Sequence, residues 1–296
     1  MTFSLLLLFA LTAVSPDTRK PVDNAWSILE DGVQHSNSDK RASAVHALGI
    51  LERNARAERL AEKALEDNNP QVRIAAANAI AEMKDVAAGP KLRIALDDKE
   101  IKVVIAAANA LYALKDPAAY QVYYALLTGS RKTSEGLLQS QLDRLKDRKA
   151  LEKIAFETGI GFIPYGGMGW DAWKQFTQGN GVALQAAAAE KLATDPDPKS
   201  AHALEDYTTD KRWQIRAAVA NALAKRGDPR VQNALIPLLE DDNSTVRYAA
   251  AAAIVRLSGA RRVGRRAVNS ATASRSTKPS SHSEHVPKPQ AAPGSP

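Results

Sequence analysis

Gln71-Val-Arg-Ile-Ala-Ala-Ala-Asn-Ala-Ile80 and Lys102-Val-Val-Ile-Ala-Ala-Ala-Asn-Ala-Leu111 are one phrase written twice, 31 residues apart. The phrase returns as Gln214-Ile-Arg-Ala-Ala-Val-Ala-Asn-Ala-Leu223, and 31 residues later as Thr245-Val-Arg-Tyr-Ala-Ala-Ala-Ala-Ala-Ile254. The same step from Leu223 back to Leu192, and from Leu111 on to Leu142, finds weaker copies, and KRASAVHAL ends a first one at Leu48. That makes seven copies of one helix. A period between 20 and 50 residues is the mark of a solenoid, in which no unit buries its apolar face alone and each must stack on its neighbours.

A second signal runs between the copies. Asp85, Asp116 and Asp147 are 31 apart, as are Asp197 and Asp228. Aspartate suits a helix N-cap because its carboxylate accepts the free N–H groups of the first turn. The stripe Ala88, Leu92, Leu96, repeated as Val231, Leu235, Leu239, predicts a second amphipathic helix after each cap. Pro117 and Pro229 fall at a first helical position, where a missing N–H costs least. Each unit therefore reads as helix–turn–helix.

Composition agrees with thin layers of closely packed helices. The 296 residues are 45% hydrophobic, dominated by alanine, and only 5% aromatic. No cysteine is present, which excludes disulfides, thiol nucleophiles and Cys-ligated metal sites. The net charge of +7 is uneven: residues 261–296 carry seven basic side chains against Glu284, leaving residues 1–260 at +1. A near-neutral body argues against nucleic-acid binding by the folded part. The Ser/Pro/Ala-rich tail reads as disordered, with a weak contact to anionic surfaces as its one functional reading.

These residues resemble the HEAT-repeat family, and within it the short, Ala-rich repeats called phycobilisome-lyase-like, over roughly residues 36–257. The most specific mark is an Asp-x5-Arg spacing at the start of the first helix: Asp67/Arg73, Asp210/Arg216 and Asp241/Arg247. The resemblance implies that these side chains form a ladder of hydrogen bonds between neighbouring repeats. Val104, Glu135 and Gln185 replace the arginine in the middle, where the ladder should break. The layout is also similar to that of uncharacterised exported bacterial HEAT-repeat proteins, for which the resemblance supplies no activity.

The expected fold is an all-α, right-handed α-solenoid of about seven helix–turn–helix units. Residues 3–14, FSLLLLFALTAV, are uncharged and of signal-peptide length, too short to span a bilayer. Residues 1–15 are expected to be a signal peptide, making the chain periplasmic or secreted with no transmembrane span once mature; otherwise it is cytoplasmic. Residues 16–35 follow as a capping helix with Trp26, Ile28 and Leu29 inward. Repeats one to four occupy 36–158 and repeats five to seven 182–258, with a basic tail at 259–296. The seventh repeat loses its second helix into that tail, which should leave an apolar end needing a cap or a partner.

Between the two halves, 159–181 forms a Gly- and aromatic-rich insertion. Leu142 to Leu192 is 50 residues instead of 31, and Phe156 to Gly181 holds six of the chain's 16 aromatics. Three readings stand open: a plug on the solenoid's own surface, a partner-binding loop, and a membrane-dipping loop. For the partner loop the candidate residues are Phe162, Tyr165, Trp170 and Trp173. Tyr120 and Tyr124 lie beside the core stripe of repeat three's second helix, on the face that in HEAT solenoids lines the concave surface. Tyrosine suits an interface, pairing an apolar ring with a polar tip.

No catalytic constellation and no metal site stands out. His35, His46, His202, His282 and His285 have no partner at ligand spacing on a firm helix. HEAT-type iron hydroxylases carry paired His-Glu motifs, and this chain has no His-Glu dipeptide. The reading is a non-catalytic scaffold or adaptor for a protein or peptide, with no cofactor. The alternative is a HEAT-type enzyme, either phycobilisome-lyase-like or a metal-dependent oxidoreductase.

Overall fold

The computed structural model describes residues 19–128 and 182–259. The signal-peptide reading, repeat four, the insertion with Phe162, Tyr165, Trp170 and Trp173, and the basic tail lie outside them. The described part is helical throughout, with no strand among its residues.

First helices of the repeats are α2 (Ser38–Leu48), α4 (Pro70–Met83), α6 (Ile101–Ala113), α8 (Val182–Leu192) and α10 (Trp213–Arg226). A sixth, α12, spans 244–259. They stack side by side: α2 on α4, α4 on α6, and α8 on α10. Alanine makes this possible, because a methyl lets two backbones approach at the short end of the usual 8–10 Å range. Ala75, Ala76, Ala77 and Ala79 of α4 are fully buried, as are Ala250 to Ala253 of α12. Among the described copies, Leu48, Ile80, Leu111, Leu223 and Ile254 end their phrases at 0% exposure, and Leu192 is half-buried against the same core.

Second helices are more broken than their stripes predict. α3 (Ala55–Ala64), α7 (Ala118–Thr128) and α9 (Pro198–Asp206) are single helices. In repeat two the segment runs as a 3-10 turn Val86–Ala88, the short α5 (Gly89–Ile94), and another 3-10 turn Ala95–Asp97. In repeat six it runs as Pro229–Val231, α11 (Gln232–Leu235) and Ile236–Glu240. Pro90 and Pro237 remove an N–H from the middle of each, so the i to i−4 ladder cannot run through. The stripe survives: Ala88, Leu92, Val231, Leu235 and Leu239 are all buried. Asp85, Asp116 and Asp228 cap these segments, accepting the N–H of Ala87, Ala118 and Arg230 at 3.0, 3.0 and 2.9 Å.

The two halves meet where the sequence leaves an open end. α1 (Arg19–Val33) packs on α2 and α3, and also touches the Ile236–Glu240 turn of repeat six. Its Gly32 lies against α12: a Cβ there would stand 2.6 Å from Tyr248 Cε1 and 2.7 Å from Ala44 Cβ. These neighbours are those of a second helix in any other repeat. α1 is thus the second helix of the seventh repeat, which takes its first helix from α12. The apolar end expected at repeat seven is accordingly covered by the chain's own N-terminal helix. Ala25, Leu29, Val246, Ile254 and Leu257 share one core with repeats one to three. Arg256 crosses the same seam, donating to Ile50 O and lying 3.8 Å from Glu52.

Candidate functional site

Two arrangements of polar and aromatic side chains stand out, an exposed tyrosine face on α6–α7 and a ladder of arginines along the first helices. α7 buries Ala119 and Val122 and half-buries Tyr123. The Tyr123 hydroxyl donates to Asn109 Oδ1 at 2.8 Å, and burial first, then the neighbouring Tyr112, pushes its phenol above the ordinary value. Tyr112 stands edge-on to both Tyr120 and Tyr123, with ring centroids 6.0 Å apart in each pair. Edge-to-face pairs of this kind add rigidity beyond the area they bury. Tyr112, Tyr120 and Tyr124 are 55%, 61% and 66% exposed, an unusual display for three large rings on two adjacent helices. Tyr112 was not singled out in the sequence, although it falls in register with Ala81, Ala224 and Val255, where other repeats carry small or aliphatic residues.

The arginine ladder joins consecutive repeats at 25- and 26-residue spacing. Arg41 holds Asp67 through Nε and Nη2, both at 2.9 Å. Arg73 holds Asp98 in the same way at 2.7 and 2.8 Å, and Arg216 holds Asp241 at 2.6 and 2.8 Å. Each Nη1 turns back to two carbonyls of its own repeat's entry turn, as Arg73 does to Asp67 and Asn68. Within Asp67/Arg73 it is therefore the aspartate's backbone carbonyl that the arginine takes, and the carboxylate serves the preceding repeat. Arg41 and Asp98 belong to the ladder and escape the Asp-x5-Arg pattern because His35 and Val104 occupy the other half of their motifs. Asp210 has Gln185 one step before it and pairs instead with Arg212 of its own turn, at 2.9 and 2.7 Å. Arg247 takes the carbonyls of Asp241 and Asp242.

Burial alone would raise the carboxyls of Asp67 and Asp241. The bonds from Arg41 and Arg216, the N–H groups of Asn69 and Asn243, and the charges of Arg73 and Arg247 outweigh it and hold both below the ordinary value. Asp85 lies in the opposite situation. In repeat three Asp116 receives Arg93, 23 residues before it, at 2.6 Å. The residue 23 before Asp85 is Glu62, which pairs with Lys91 at 2.9 Å. Asp85 Oδ2 is left buried without a hydrogen-bond partner. Burial and the Glu62 carboxylate raise the Asp85 carboxyl.

Asp85→Asn should therefore stabilise the protein near pH 7. Asparagine keeps the cap and supplies an N–H toward Glu62, and relief of an unsatisfied buried group is worth about 1–3 kcal/mol. A raised carboxyl costs nothing below its unfolded value and costs most once pH exceeds its folded value. The gain in melting temperature should shrink on acidification, and a variant that melts below the parent at pH 7 refutes the reading.

Among the described residues no three His, Cys, Asp or Glu side chains are grouped to hold a metal ion. No described helix is long and apolar enough to cross a membrane.

Stacked helix pairs joined by an Arg–Asp ladder define an all-α repeat solenoid. The family model for HEAT repeats matches residues 27–111, 57–133 and 172–255, and the chain belongs to the HEAT-repeat family. No curated protein matches it. Among solved structures it is similar to human deoxyhypusine hydroxylase in complex with glycerol, at 16% identity and a TM-score of 0.31, over 82% of this chain and 98% of that one. An engineered protein matches at 18% identity and a TM-score of 0.24, over 80% of this chain and 97% of that one.

Proposed function

We propose that this HEAT-repeat chain is a non-catalytic scaffold that binds a protein or peptide partner, outside the cytoplasm, through the tyrosine face of α6–α7. The observation that carries the reading is the set of exposed rings Tyr112, Tyr120 and Tyr124, with Tyr112 standing edge-on to both Tyr120 and the half-buried, hydrogen-bonded Tyr123. A rigid ring loses little conformational freedom on binding, and interface energy concentrates in such aromatic side chains. The uncharged 3–14 segment supports the placement outside the cytoplasm.

The test uses the full chain as bait beside the triple variant Tyr112→Ser, Tyr120→Ser, Tyr124→Ser. Each hot-spot ring is worth about 2 kcal/mol or more, so the triple variant should lose its partner by at least a hundredfold in affinity. Melting should fall only modestly, because the three rings are mostly solvent-exposed and the variant gives up the two edge-on pairs of Tyr112. Retained binding at parental affinity rules out this face as the contact surface.

A further inference from the structure

The seam between repeats seven and one reproduces the ladder with one member missing. At three other steps a ladder arginine meets a carboxylate at the end of the following second helix, Asp67, Asp98 or Asp241, whereas the step to Asp210 has Gln185 in place of the arginine. For Arg247 the following second helix is α1, and the residue at the ladder position after it is His35. The equivalence is set by hydrogen bonding as well as register. Asp67, Asp98, Asp210 and Asp241 each accept the N–H two residues on, at 2.8, 2.8, 2.8 and 2.9 Å. His35 does the same, its Nδ1 accepting Asn37 N–H at 3.0 Å. Arg41 takes the His35 and Ser36 carbonyls as Arg73 takes those of Asp67 and Asn68.

With Nδ1 an acceptor, the ring's proton lies on Nε2. Where the ladder elsewhere sets a carboxylate oxygen, the seam sets an N–H. By the repeat register the arginine of this rung is Arg247, which can only donate, so the rung assigns two donors where the others pair a donor with an acceptor. Nη1 of Arg247 is held by the Asp241 and Asp242 carbonyls, which fixes the plane of the guanidinium. Its Nε–Nη2 edge has no acceptor among the described residues, and both Arg247 and His35 remain partly solvent-exposed. Tyr248 supports the gap. It stands where the other ladder helices carry Ala42, Ile74 and Ala217, and its ring is wedged against Gly32. Asp31, one turn before His35, accepts the Ser27 hydroxyl at 3.4 Å and makes no ion pair with Arg247.

The geometry points to a carboxylate-binding site at this seam, in which the Nε–Nη2 edge of Arg247 and the Nε2–H of His35 take a carboxylate that no described residue supplies. A planar guanidinium matches a carboxylate in bidentate fashion, as three other rungs of this molecule already show. The occupant is a free carboxylate or the acidic side chain of a bound protein. Filling the rung would tie the N-terminal half to the C-terminal half, so occupancy and closure of the seam are linked. The site does not depend on the tyrosine face.

Acetate and an N-acetylated aspartyl peptide are the two probes, titrated into the full chain at ionic strength matched with chloride. Binding is read from melting temperature and from the Arg247 Nε–H resonance. Both probes should raise melting and move that resonance; comparable midpoints assign a free carboxylate, and tenfold tighter peptide binding assigns a protein side chain. His35→Asp should fill the rung from within, melting above the parent without ligand and losing the response to both probes. Arg247→Gln should lose the response with no such rise in melting. The proposal is overturned if the parent responds to acetate and peptide no more than to chloride, or if His35→Asp keeps the parental response. Asp31→Asn should leave the response intact; a fall in its melting to the level of Arg247→Gln would make Asp31 the missing acceptor and overturn the assignment.

Discussion

Leu111→Asp should melt far below the parent, with loss of far-UV helicity at temperatures where the parent is folded. Leu111 is 0% exposed, in the middle of the stack of first helices. Truncating such a side chain costs about 2–5 kcal/mol through lost transfer energy and the cavity left behind. An aspartate also brings a charge that must be buried unpaired or protonated, adding several kcal/mol. The sum is comparable to the whole stability of a typical domain, about 5–15 kcal/mol. Its neighbour supplies the control: Tyr112, 55% exposed, should accept aspartate at a cost of about 1–3 kcal/mol, the worth of its two edge-on ring pairs. Equal melting of the Leu111 variant and the parent would show that the 31-residue register has been misassigned.

The second large effect is expected at Arg73. Its side chain is 7% exposed and serves three groups at once, the Asp98 carboxylate and the carbonyls of Asp67 and Asn68. Arg73→Met keeps most of the apolar stem, leaves two carbonyls without donors, and leaves the largely buried Asp98 carboxylate with the Glu100 N–H alone. Breaking a buried pair from one side costs about 3–5 kcal/mol. Arg230→Met breaks an equally short pair at 86% exposure and should leave melting almost unchanged. Acid adds a further signature. Asp67 and Asp241 are held below the ordinary carboxyl value. Their contribution is complete above the unfolded value near 4 and drains away as pH falls through the folded values. Parent melting should therefore fall below about pH 4, and Asp67→Asn should flatten that fall.

Local periodicity was the legible part of this molecule. The phrase at 71–80 carries its own register, and Leu48, Ile80, Leu111, Leu223 and Ile254, which close five of its copies, are all fully buried. The aspartate caps were legible for the same reason, since a cap acts within three residues. Pro90 and Pro237 lay in plain view, yet the apolar stripes outweighed them in the reading of the second helices. The ladder was half visible, because an Asp-x5-Arg search looks inside a repeat whereas the bidentate pairs span two. In the tyrosine face, Tyr120 and Tyr124 followed from their place beside the α7 stripe. Tyr112 sits on the preceding helix and joins them only when α6 and α7 fold together. The seam was not legible at all: Gly32 and Tyr248 are more than 200 residues apart, and nothing local distinguishes a glycine needed for close approach from one in a turn.

That seam also sets a schedule. α1 leaves the ribosome well before α12, whose Tyr248 it must meet and which lies more than 200 residues later. At about 5–20 residues per second the interval is roughly ten to forty seconds. Through that interval Trp26 and Leu29 can rest only against the repeats that follow them, with one flank of α1 still bare. The seventh repeat joins an early-made helix to one made more than 200 residues later, so it can be completed only after the repeats between them have been synthesised. A nascent chain halted before residue 244 would carry a permanently unfinished N-terminal helix, a feature by which quality control can tell a truncated product from a finished one.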